Sequence, residues 1–299
     1  MRTGAWRRGP VAALSLALIA VVPGCGTGDP DRPLGVPLAS VDATADVDAE
    51  QGTIVLPAER FLLAEAEHVE IDAAGQVGLD QCVRDRGFDV ISNPRGMTAG
   101  SDRRYGTWVL QEAEKYGFAP PSDAHGTGEH QTGPASGGGD DGEGRYRPGD
   151  IRNVDVEILL ECQEAPGVTR FDTRQIEPAF DYGGEIGPLM DEAFASVEGQ
   201  QVFTDWEACL VSHGLERDEE RSPYSIRGAS MEATEQDIAM ALVDVGCKTE
   251  VGFVQRLADL EAALQAPVVA RYFKELTAMR SEYEAVLEDA RRFNAGASS

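Results

Sequence analysis

The sequence predicts an all-α fold, a helical bundle with a long C-terminal amphipathic helix. The strongest observation is a heptad seam, in which apolar residues alternate at four- and three-residue spacings, as on the buried face of a helix. The seam consists of Tyr272, Leu276, Met279, Tyr283, Val286, Ala290 and Phe293. Helix stop signals in the form of Gly after short apolar runs are the second observation. No strand pattern of comparable strength occurs, which is the third.

The N-terminus predicts a secretory signal peptide over residues 1–24. Three arginines precede an apolar run over 11–22, which is too short to cross a bilayer. The junction Val22-Pro23-Gly24-Cys25 resembles a bacterial lipobox, although Pro23 departs from the small residues usual there. The resemblance implies that Cys25 is lipidated and places the protein at the outer face of the cytoplasmic membrane. Ordinary secretion with an unmodified Cys25 is the alternative.

Residues 25–56 are interpreted as the lipidated cysteine followed by a disordered tether. Prolines stiffen its start, acidic residues keep it solvated and no apolar periodicity is present. Such a tether would hold the folded part away from the membrane.

The charge excludes some partners. The chain has 26 basic and 52 acidic residues, a net charge of −26. Three arginines and no acid lie in 1–24, so cleavage would change the charge to −29. Nucleic acid and anionic membrane surfaces would repel such a chain. Solubility is the simplest explanation of the negative charge. The more specific alternative is that the acidic residues bind a cationic partner or divalent ions.

The folded part is predicted to contain two helical units. The first, 57–176, has a helix over 58–74 whose continuation Gly75 and Gly78 weaken, and later helices over 107–116 and from Asp150 or Asn153 to Cys162. A Gly-rich insert, 119–150, is predicted to be disordered because it has too few apolar residues to fold.

The second unit, 186–294, is predicted to begin with a helix at Pro188. Thr204 and Glu207 have the spacing of a capping box and predict that a new helix begins there. A helix over 231–245 and the long helix over 249–294 follow, and Pro267 is expected to kink or interrupt the latter.

Five cysteines are present, and lipidation of Cys25 would leave an even number for disulfides. Cys82 and Cys209 share one pattern, in which an aliphatic residue follows directly and a Gly ends the helix five positions on. Each is followed by one further cysteine. This repeat predicts the disulfides Cys82–Cys162 and Cys209–Cys247. A nested pairing, Cys82–Cys247 with Cys162–Cys209, would instead make one domain.

Several local motifs resemble those of a group of actinobacterial exported lipoproteins. They are Arg104-Tyr105-Gly106, Tyr116-Gly117-Phe118-Ala119-Pro120-Pro121, Trp206-x-x-Cys209 with Gly214, and Cys247-Lys248-Thr249 before the long helix. The resemblance covers about residues 60–294 and implies the location and a helical architecture. No activity is established for that group, so the resemblance brings no active-site residues.

A search for catalytic motifs identifies no candidate. Ser136 and Ser230 lack the glycines of a nucleophile elbow, and the pair His125 and His130 lies in the Gly-rich insert, where nothing fixes ligand geometry. His68 and His213 are expected to have packing or capping roles, and Trp206 to be a core residue. We therefore predict no enzyme activity, no metal and no cofactor.

The leading functional hypothesis is a non-enzymatic interaction or scaffold role at the cell envelope. In that hypothesis the seam docks an envelope protein or a second copy of the chain. The alternative use of the seam is intramolecular, against residues 58–74 or 188–213. A binding protein for cell-wall glycan or a small solute is the second functional class, and a cell-wall hydrolase is the third.

Overall fold

A computed structural model describes residues 35–89, 101–120 and 154–296. Cys25, the signal peptide and insert residues 121–150 lie outside the described residues, so the predictions for them stay predictions. The described chain is mostly helical, which confirms the all-α fold. Its helices are α1 Glu65–Asp85, α2 Leu110–Tyr116, α3 Val156–Gln163, α4 Pro166–Thr169, α5 Tyr182–Glu185, α6 Leu189–Ala195, α7 Val197–Ser212, α8 Glu235–Val251 and α9 Phe253–Gly296.

The segment predicted to be a disordered tether is partly folded, and that prediction is wrong for residues 35–56. Strands β1, Asp46–Asp48, and β2, Thr53–Val55, pair in an antiparallel hairpin. Ile54 is 6% exposed and Leu56 is fully buried in the main core. These two apolar side chains stabilise the segment by packing, which its acidic composition concealed.

Helix α1 differs from the prediction at both ends. It begins at Glu65 rather than residue 58, after a 3-10 turn over Glu59–Phe61, and it continues through both glycines to Asp85. A Cβ atom at Gly78 would lie 2.5 Å from the carbonyl oxygen of Gly167. The glycine therefore allows α1 and the start of α4 to approach closely, and tertiary packing offsets its weak helix propensity.

The predicted capping box at Thr204 and Glu207 is wrong. Helix α7 already begins at Val197, where the Ser196 hydroxyl accepts a hydrogen bond from the Gly199 amide at 2.9 Å. Thr204 lies inside the helix and its hydroxyl donates to the Gln200 carbonyl. A Ser at an N-cap accepts a hydrogen bond from a free helix amide just as Thr does. Ser196 precedes Thr204 in the chain, and the helix begins directly after it.

Both disulfides of the repeat are formed, so the predicted pairing is confirmed. Cys82 bonds Cys162 between α1 and α3, and Cys209 bonds Cys247 between α7 and α8. In the chain-entropy model, closing loops of 80 and 38 residues stabilises the fold by about 4 kcal/mol each.

Helix α9 connects the two predicted units. Its first half packs on α6 and α7, and its second half packs along α1. Pro267 lies inside the helix, and the departure from helical dihedral angles falls at Tyr272 (φ −108°, ψ 17°) instead. Units 57–176 and 186–294 therefore share α9 and do not pack separately.

The heptad seam is used within the chain. Tyr272, Leu276 and Met279 are at most 6% exposed, in one cluster with Ala58 and Ile186. Further along the seam, Tyr283, Val286, Ala290 and Phe293 pack with residues of α1 and with Phe171. The seam thus packs within the chain, which agrees with the intramolecular alternative, and Tyr283, Val286 and Phe293 are half-buried there. A docking role for these side chains stays a prediction.

Candidate functional site

An open groove of about 800 Å³ lies between β2, the start of α1, residues 101–104 and α9. We call it the carboxylate groove, because five carboxylates lie in its wall. The charged lining consists of Glu59, Glu65, Glu67, Asp102, Glu284, Arg60, Arg104 and Arg280. His68, which was expected to have a packing or capping role, is exposed and also lines it.

One end of the groove is organised by Arg104. Its guanidinium pairs with Glu59, with Glu261 at 3.2 Å and with Asp102 at 3.8 Å. Glu261 is 4% exposed and also accepts hydrogen bonds from the Tyr105 hydroxyl, at 2.8 Å, and from Gln265. One guanidinium therefore faces three carboxylates, which leaves this end short of positive charge.

Burial and the neighbouring charges shift the pKa values of two of these carboxyl groups. Burial raises the pKa of Asp102, and the neighbouring Glu59 carboxylate adds to the effect, while Arg104 opposes it. Burial likewise raises the pKa of Glu261, again against the attraction of Arg104. A further cation near this cluster would stabilise the ionised carboxylates.

The other end is organised by Arg280 of α9. Its two terminal nitrogens donate to both oxygens of Glu67 at 2.8 and 2.9 Å, and its Nε donates to Glu284 at 3.1 Å. The bidentate pair, which is a strong form of ion pair, fastens the second half of α9 to the first turn of α1. This contact also fixes the floor of the groove.

The charge of the lining is negative. Five carboxylates stand against three guanidinium groups, and Arg60 is turned toward Asp42 and the carbonyl oxygens of residues 42 and 44. A concave surface of one sign concentrates counter-ions of the other sign. The net negative charge of the lining would therefore raise the local concentration of cations.

A second polar centre, around Lys248, is structural. Its ammonium donates to Asp244 at 3.0 Å and to the carbonyl oxygens of Tyr105 and Thr107 at 3.1 and 2.8 Å. Trp206 donates its indole N–H to the other Asp244 oxygen at 2.9 Å. Burial raises the pKa of Asp244 and lowers that of Lys248. The ammonium and both carboxylate oxygens therefore all have hydrogen-bonding partners. Since Trp206 lies on α7 and Asp244 and Lys248 lie on α8, the network joins these helices to the 105–107 segment.

Trp206 is fully buried, which confirms the prediction that it is a core residue. It packs against Phe253, with ring centroids 5.0 Å apart. A glycan-stacking role for this side chain is thereby ruled out.

Cys209, Cys247 and His213 bring three potential metal-ligand atoms within 4.8 Å of one another. His213 is the C-cap residue of α7, as its predicted end-of-helix role required. The two sulfur atoms are bonded to each other, and a metal requires thiolates. The cluster is thus a disulfide beside a histidine. His125 and His130 lie outside the described residues.

Sequence reasoning missed the groove. Glu59 and Arg104 are 45 positions apart, and Arg104 and Glu261 are 157 apart, so no local spacing relates them. Arg104 did stand in the Arg104-Tyr105-Gly106 motif. The sequence signal that could have singled out Arg104 is a basic residue beside a Tyr in a chain this acidic.

No protein-family model, curated protein or solved structure matches this chain. Among the described helices, none combines the length and the apolar content that crossing a membrane requires.

Proposed function

We propose that this protein is a lipid-anchored extracytoplasmic binding protein whose carboxylate groove takes a small ligand bearing an amine or guanidinium group, without transforming it. The observation that carries the proposal is the excess of carboxylates over guanidinium groups in the groove wall. The size of the groove supports it as well, because pockets of about 300–1,000 Å³ hold small molecules.

The location is proposed from the N-terminal motif. The lipobox-like junction at Cys25, the resemblance to exported lipoproteins and two disulfides all favour an oxidising compartment outside the cytoplasm. Mass spectrometry of the native protein tests the anchor: a diacylglyceryl-modified Cys25 as the first residue is expected, and an unmodified Cys25 would contradict it.

Binding is favoured over catalysis by the state of the groove carboxylates. Glu67 accepts two hydrogen bonds from Arg280, and these lower the pKa of its carboxyl group. A carboxylate that accepts such bonds is stabilised as the anion and is a weak general base. Glu67 is therefore better suited to hold charge than to move a proton.

A cation is favoured over a cell-wall glycan by the lining. Glycan sites stack sugar rings on aromatic side chains, and of Phe, Tyr and Trp only Phe61 belongs to the described lining of the groove, beside eight charged residues. The heptad seam packs within the chain, so we place the binding surface in this groove instead.

Calorimetric titration with spermidine and with L-arginine amide, at physiological salt, tests the proposal. Glu65 lines the groove at the first residue of α1, so Glu65→Gln should weaken binding about two- to fivefold, as for one partly exposed charge contact. Glu282→Gln removes the same charge from an exposed position on α9 outside the lining and should leave affinity unchanged. Equal losses in both variants, or no binding by the wild type, would contradict the proposal.

A further inference from the structure

A second cavity, of about 460 Å³, lies between the 103–107 segment and the loop that joins α7 to α8. We call it the arginine pocket. Arg103 and Arg221 line it, together with the hydroxyl groups of Thr107, Ser222 and Ser225, and no carboxylate belongs to its described lining. The chain has twice as many acidic as basic residues. The charged residues in the described lining of this cavity are both arginines, so its charge is opposite to that of the chain.

Backbone carbonyls hold the first arginine. Arg103 donates to the Phe118 carbonyl at 2.8 Å, the Ala119 carbonyl at 3.0 Å and the Thr107 hydroxyl at 2.6 Å. Arg103 also forms an ion pair with Glu112 at 3.7 Å, which offsets part of its charge. The carbonyl partners fix the orientation of the guanidinium, and its three hydrogen bonds use three of its five N–H groups, which leaves two.

The second arginine is held in the same way. Arg221 donates one N–H to the Ala229 carbonyl at 2.6 Å and is otherwise exposed. Beside it, the Ser222 and Ser225 hydroxyls are 2.7 Å apart and share one hydrogen bond. That bond uses one of the two hydroxyl hydrogens, so the pair can still donate one hydrogen bond outward.

We propose that the arginine pocket is an anion site for a phosphate monoester. Two guanidinium groups and a hydroxyl donor suit the several oxygens of a phosphoryl group, because guanidinium N–H groups pair with phosphate in fork geometry. Ile226, Met231 and Phe118 supply apolar wall for the organic part of the ligand. This site is independent of the carboxylate groove, and its ligand carries the opposite charge.

The test is calorimetric titration of the full extracytoplasmic chain with phenyl phosphate. Arg221 is exposed, so Arg221→Gln should fold, and loss of its charged hydrogen bonds should weaken binding about tenfold or more. Arg227→Gln is the matched control, since Arg227 lies in the same loop, pairs with Glu216 and is not part of the lining. It should change affinity less than twofold.

Three outcomes would overturn the inference. They are no binding of phenyl phosphate at millimolar concentration, equal weakening in the two arginine variants, and binding of benzoate as tight as that of phenyl phosphate. The last result would assign the pocket to a carboxylate instead.

Discussion

Asp237 illustrates how single side chains fix this fold. Its carboxylate accepts hydrogen bonds from the Thr234 hydroxyl at 2.6 Å and from the Ser230 hydroxyl and amide at 2.7 Å. The Thr234 hydroxyl in turn accepts from the Asp237 amide, which completes a capping box at the start of α8. One residue thereby ties the loop after α7 to the helix that follows it.

The pKa of Asp237 gives a pH-dependent prediction. The hydrogen bonds from Thr234 and Ser230 lower it to about 2, below the value of about 3.9 for an unfolded chain. Its ionised form therefore stabilises the fold above about pH 4, and this stability is lost as the pH falls toward 2. Urea unfolding should show Asp237→Asn to be less stable than wild type at pH 6, with a smaller difference at pH 2. A difference that is the same at both pH values would mean that the carboxylate charge is not the cause.

Gly75 and Gly78 of α1 give a matched pair of substitutions. A Cβ at Gly78 would lie 2.5 Å from the Gly167 carbonyl oxygen, whereas at Gly75 the nearest atom is 3.9 Å away, on Phe171. Gly78→Ala should lower the free energy of unfolding by about 1–3 kcal/mol, as overpacking does. Gly75→Ala should raise it by about 0.5–1 kcal/mol through helix propensity. Thermal or urea unfolding checks both, and stabilisation by both changes would show that α1 and α4 are not in close contact.

At the scale of elements, α9 determines how the other helices are arranged. The sequence was sufficient to predict this helix, because seven apolar residues at heptad spacing leave few alternatives. It was not sufficient to say what covers the seam, since a partner chain and α1 satisfy the same apolar face. The hairpin was missed for a related reason: its three-residue strands are too short for a periodic signal, and they are stabilised by Ile54 and Leu56 in the core.

The position of the seam can be tested at Leu276, which is fully buried. Leu276→Ala should lower the free energy of unfolding by about 2–5 kcal/mol, the usual cost of a cavity in a core. Lys274→Ala, at an exposed position two residues earlier, should change it by less than about 0.5 kcal/mol. If Leu276→Ala were as stable as wild type but lost self-association in analytical ultracentrifugation, the seam would be an interface between chains.

Across the molecule, the disulfides could be predicted from the sequence and the carboxylate groove could not. The disulfides followed from a repeated pattern in the chain, because each Cys82-like unit is local and its partner is the next cysteine. The carboxylate groove brings Glu59, Arg104, Arg280 and Glu67 together from three distant segments. Such a site depends on how α9 crosses α1 and the 101–104 segment, and this crossing is a property of packing rather than of spacing.

The molecule is also electrostatically divided. The carboxylate groove has a negative wall and the arginine pocket a positive one, and the net charge of −26 favours approach of cations over anions. Salt at physiological concentration screens this general attraction beyond about 8 Å. Cation binding that persists at physiological salt must therefore come from groups inside the groove.

Whether the carboxylate groove binds a cation is tested most directly by an NMR titration of arginine-labelled protein with spermidine at physiological salt. The side-chain Nε–H signals of the arginines are observed. A cation held in the carboxylate groove should shift the signals of Arg104 and Arg280 along a saturable curve. Arg256 and Arg292, which pair with acids elsewhere, should not move. Equal shifts at all four arginines, or none at Arg104 and Arg280, would contradict the claim.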